Sequence, residues 1–114
     1  MEAEKKVNQD SVRLETPPAF EPWINEFLVW VQLEKGLSKN TIDSYETDLN
    51  QCANFLHAQG ITHWKDAVLK NYSEWMASLT DGSYAAASLA RKLSALRMMI
   101  QFLVAEGNLG ENHT

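Results

Sequence analysis

The stretch SKNTIDSYETDLNQCANFLHAQG, residues 38–60, decides the fold. Ile42, Tyr45, Leu49, Cys52 and Leu56 recur every three or four positions, so they line one side of a helix as an unbroken apolar stripe. Ser38 is placed to cap its first turn, and Gly60 stops it. A helix this long and this one-sided must bury its stripe against other elements, and the flanking sequence supplies them.

Upstream, Pro22 suits a first helical turn, and Ile24, Phe27, Leu28 and Val31 follow at helical spacing until Gly36. Downstream, residues 61–68 are short and irregular around Trp64, and Tyr72, Trp75, Met76 and Leu79 then support a third helix ending near Asp81 and Gly82. A fourth is expected to open around Ser83 and Tyr84, to carry Leu89, Leu93, Leu96, Ile100 and Leu103 on its inner face, and to end at Gly107. No strand alternation and no internal repeat interrupts this series. The fold class is therefore all-α, a compact four- to five-helix bundle. Residues 1–19 are polar and charged with two prolines and are expected to form a flexible tail. The helical domain is assigned to 20–107, and polar residues 108–114 to the start of a linker.

Composition narrows the chemistry. A chain of 114 residues with 45% hydrophobic content can build one modest core. Neither a membrane-spanning run nor the apolar core of a signal peptide is visible, so a cytoplasmic location is expected, with no membrane partner. Cys52 is the only cysteine, and His57, His63 and His113 are too scattered for a metal site or a triad; no metal, cofactor or small-molecule substrate is expected. Cys52 lies on the apolar stripe and is read as a buried, inert thiol. Ten basic against fifteen acidic residues gives a net charge of −5, so contact with nucleic acid requires a local patch.

The fourth helix carries such a patch. Between Ala85 and Ala105 there are three cations, Arg91, Lys92 and Arg97, and no acid. At about 100° per residue with Leu93 as the centre of the buried side, Tyr84, Ser88, Arg91 and Ala95 point away from the core and Lys92 lies on a flank. Ser88 and Ala95 are small enough for close approach to a groove, and arginine and lysine reach phosphates or base edges. On the same wheel Arg97 falls at the edge of the buried stripe and should support the fold, through a partner carboxylate, while Arg91 stays free for DNA. At the start of the second helix, Ser38, Lys39, Asn40 and Thr41 combine unpaired backbone N–H groups with a lysine, a possible phosphate seat. Solvated helix faces and simple caps use the same residues, and composition alone does not choose between these readings.

Order and spacing add a resemblance. Phe27-Leu28, Glu34-Lys35-Gly36-Leu37-Ser38, Asn40-Thr41, Tyr45 and Asp48-Leu49, then Phe55-Leu56 with Gly60-Ile61, resemble the opening of the SAM-like N-terminal (core-binding) domain of Xer-type tyrosine recombinases and phage integrases. The run from Ser88 to Arg97, followed by Phe102-Leu103 and Glu106-Gly107, is similar to that domain's last long helix. The chain departs from the family at Asn112-His113, where the linker commonly has Asn-Pro.

The resemblance implies a DNA-binding domain that grips one side of a recombination half-site, with partner recombinase subunits in a synaptic complex. A separate catalytic domain would cut and rejoin the DNA through a tyrosine nucleophile, so this chain by itself is expected to be no enzyme. Carried over residue by residue, the DNA-facing positions are Lys39, Asn40, Thr41 and Ser44 on the second helix, and Ser88, Arg91, Lys92 and Ala95 on the fourth. A chromosomal Xer role in chromosome segregation is preferred, because the layout shows no extra arm-binding domain. The alternatives are a mobile-element integrase and a helical protein-interaction module that does not bind DNA.

Overall fold

The computed structural model describes residues 15–81 and 84–107, and the expectations for 1–14, 82–83 and 108–114 lie outside them. Four helices form in the expected order: α1 Glu21–Lys35, α2 Lys39–Ala58, α3 Leu69–Leu79 and α4 Ala86–Ala105, with a single 3-10 turn at Trp64–Asp66 before α3. Each boundary has a local cause. Pro22 sits in the first turn of α1, and Gly36 ends that helix at φ 62°, where its N–H reaches the Gln32 carbonyl at 2.9 Å. Ser38 is extended and its Oγ accepts from the Thr41 N–H at 3.2 Å, which starts α2. At the start of α3 it is Asn71 whose side-chain oxygen accepts from the Val68 N–H, at 2.8 Å. Among the described residues no strand forms, and no helix is long and apolar enough to cross a membrane.

Helices α2 and α4 form the centre of the bundle. Each packs on the other and on both α1 and α3. Phe27, Val31, Leu49, Cys52, Leu56, Met99 and Leu103 are sealed between them. Phe102 of α4 inserts among α1 aromatics, with ring centroids 5.9 Å from Phe27, 5.4 Å from Trp30 and 6.2 Å from Trp23. Trp64 closes one end of the core. Its indole Nε1–H donates to the Phe20 carbonyl at 3.1 Å, and its ring meets Phe20 edge-on at 5.0 Å.

Two expectations are corrected here. Residues 15–19, assigned to a flexible tail, dock on α2: Pro17 is buried, Thr16 Oγ1 donates to Asn50 Oδ1 at 2.6 Å, and Asn54 Nδ2 donates to the Glu15 carbonyl at 3.0 Å. The polar groups that made this segment resemble a tail are the ones that hold it. The second correction concerns α4, whose buried side is Lys92, Ala95, Leu96, Met99, Phe102 and Leu103, while Leu89, Leu93 and Ile100 are half-buried. The centre of the buried side is Met99 and not Leu93. Lys92 is polar by sequence but occupies an interior position, so the core lies about one residue step around the helix from Leu93.

Candidate nucleic-acid interface

The rotation of α4 reassigns its cations. With Met99 at the centre of the buried side, Arg97 lies about 160° away and Arg91 about 80° away. Arg97 is accordingly exposed and not at the core edge, and Arg91 is half-buried. Lys92 has no exposed surface at all.

Arg91 and Lys92 converge on one carboxylate. Asp48, fully buried on α2, accepts from Arg91 Nε on Oδ2 at 2.8 Å and from Arg91 Nη2 on Oδ1 at 2.7 Å. The Lys92 ammonium donates to the same Oδ1 at 2.8 Å and to Gln51 Oε1 at 2.7 Å, and lies 4.8 Å from the centre of the Tyr84 ring. The Arg91 contact is the two-pronged guanidinium–carboxylate pairing, which sets orientation as well as distance. Burying a lysine is tolerable because a carboxylate, an amide oxygen and an aromatic face replace its water. Next to this cluster, burial holds the Tyr45 hydroxyl above its ordinary pKa; the Asp48 charge adds to that shift, and Arg91 opposes it.

The residues expected to face DNA therefore divide into two groups. Lys92 and Ala95 are both buried, and Lys92 is held by Asp48 and Gln51 of α2. Neither presents a surface to a ligand, and their expected role at the interface is corrected. The other six remain accessible. Lys39 and Asn40 are exposed, and Thr41, Ser44, Ser88 and Arg91 are half-buried. Lys39 also pairs with Asp43 one turn on, at 3.0 Å, a solvent-exposed pair of little energetic weight.

Helical spacing joins the two helices into one face. Thr41, Ser44 and Asp48 follow one another at three- and four-residue steps on α2, Ser88 and Arg91 do so on α4, and the Asp48–Arg91 pair ties the two rows together. Asp48 and Gln51 were not singled out as site residues. A signal existed in the lone aspartate beside Leu49 at the margin of the α2 stripe, and in a fourth helix with adjacent cations and no acid of its own.

Comparison with known proteins defines the class. The family described as phage integrase, N-terminal SAM-like domain, matches residues 24–107, and this chain belongs to that family. Its relatives are named tyrosine recombinases: XerC of Natranaerobius thermophilus is 36% identical over 88 residues, covering 76% of this chain and 29% of the relative. XerD of Rhizobium meliloti is 38% identical over 85 residues, covering 75% and 27%. XerD of Staphylococcus saprophyticus is 40% identical over 83 residues, covering 73% and 28%. The chain thus spans less than a third of the length of these relatives. No solved structure gives a significant match.

Proposed function

We propose that this chain is the DNA-gripping domain of a Xer-type site-specific recombinase, holding one side of a recombination half-site through α2 and α4. The observation that carries the reading is the Asp48–Arg91 pair, which ties the α2 row of Thr41 and Ser44 to the α4 row of Ser88 and Arg91 in a member of the integrase family. Small polar side chains flanking a guanidinium suit close approach to the sugar–phosphate backbone and to base edges. The names of the relatives support the Xer assignment over that of a mobile-element integrase. In a full-length protein the catalytic step would belong to another domain, acting alongside partner recombinase subunits.

The test is a titration of labelled duplex DNA with the purified chain at several salt concentrations. Binding should weaken as salt rises, with a shallow slope, because few cations are available on a chain of net charge −5. Absence of duplex binding at low salt would remove the proposal. The chain by itself should form no covalent adduct with DNA, read as a lack of label retained after denaturation.

A further inference from the structure

The buried carboxylate of Asp48 is shared by two cations that are adjacent in sequence, and it treats them differently. Lys92 is taken completely out of solvent, whereas Arg91 keeps 29% of its side chain exposed while its Nε–Nη2 edge is clamped. A long, flexible arginine would ordinarily sample many orientations over a helix surface and meet any nearby phosphate as a mobile charge. Clamping one edge removes that freedom and leaves the exposed part of the side chain in a single orientation. Reading a base edge requires such fixed geometry, and attracting a phosphate does not.

We infer that Asp48 is a positioning residue for DNA recognition: it orients Arg91 so that this arginine contributes sequence selectivity and not general affinity. The inference rests on α2 and α4 being the DNA surface. It makes an expectation opposite in sign to simple electrostatics. Asp48→Asn removes a negative charge from beneath a DNA-binding face, so Coulomb attraction alone would tighten binding to every duplex and steepen the salt slope. Loss of positioning lowers the preference for one duplex over another.

The probes are duplexes recovered by the wild-type chain from a randomised pool, and an alternating A·T duplex as the unselected competitor. Selectivity is the ratio of the two affinities at one salt concentration, measured on variants whose helical circular dichroism matches the wild type. Asp48→Asn should reduce that ratio on the order of tenfold, the scale of one lost bidentate base contact, while affinity for the A·T duplex holds or rises. Arg91→Lys keeps the charge on a half-exposed side chain and cannot pair in the same two-pronged way. It should lose the same selectivity with its salt slope unchanged, and it serves if Asp48→Asn does not fold. Arg97→Ala, exposed on the far side of α4, should leave the ratio at its wild-type value. A ratio unchanged in Arg91→Lys, or an Asp48→Asn chain that tightens equally on both probes, overturns the inference while leaving DNA binding standing. A wild-type chain that binds neither probe overturns both.

Discussion

Tyr72 on α3 is 2% exposed, and its hydroxyl has no hydrogen-bond partner among the described residues. An unpaired buried hydroxyl costs about 1–3 kcal/mol relative to its hydrated state. Tyr72→Phe removes that group and leaves the ring in place. The space vacated is about one oxygen atom, and a cavity of that size costs only a few tenths of a kcal/mol. The variant should therefore be more stable by about 1 kcal/mol or somewhat more, which for a domain of this size raises the melting temperature by roughly 4–8 °C per kcal/mol. Urea unfolding followed by circular dichroism gives the free energy, and thermal melting gives an independent value. A loss of 1 kcal/mol or more would refute the reasoning, because it would mean that the hydroxyl is satisfied in the folded chain.

Other expectations follow from the same core and from the charge cluster. Asp48→Ala strands two cations, one of them fully buried, and should cost about 3–5 kcal/mol in a urea titration, whereas Lys92→Met should cost far less because Asp48 keeps Arg91. Arg97→Ala should stay within about 0.5 kcal/mol of the wild type, since its side chain is exposed; a large drop in melting temperature would restore a structural role for it. Burial raises the pKa of the Cys52 thiol well above its ordinary 9.0, and burial followed by the influence of Cys52 raises Tyr72 above 10.0. The folded state then holds protons that the unfolded chain releases, so stability is fully present below about pH 9 and falls as pH rises beyond it. Melting temperatures between pH 8 and 11 check the sign, and Tyr72→Phe should flatten the upper part of the decline.

The parts of the fold that were legible were those in which apolar residues mark the buried side. The α2 stripe is the clearest case: Tyr45, Leu49, Cys52 and Leu56 are all buried, and Ser38 caps where its side-chain chemistry indicates. In α4 the same method misplaced the core, because Lys92 occupies an interior position and Leu89 and Leu93 flank it half-covered. Periodicity weighs each residue by its intrinsic polarity, and Lys92 is buried only because Asp48 and Gln51 stand opposite it, 44 and 41 positions earlier in the chain. The same displaced centre put Arg97 at the core edge, although it is exposed, and missed the Asp48 partner of Arg91, which nevertheless stays accessible. Lys39, Asn40, Thr41 and Ser44 were easier to place, since their exposure depends on a helix start that local sequence specifies. The docking of Thr16 and Pro17 depends on Asn50 and other distant residues of α2, and nothing local announces it.

The tryptophans are segregated from the α2–α4 surface proposed for DNA. Trp23 and Trp30 belong to α1, Trp64 to the 3-10 turn and Trp75 to α3, and α2 and α4 contain none. Trp64 and Trp75 are almost completely shielded from solvent, and their emission is governed by the packing around them. Intrinsic fluorescence is thus a reporter of whether the bundle is assembled and is nearly blind to what rests on its α2–α4 face. Trp23 and Trp30 are half-buried on α1, so a spectral shift on adding DNA would signify either a contact that reaches α1 or a rearrangement of the interior.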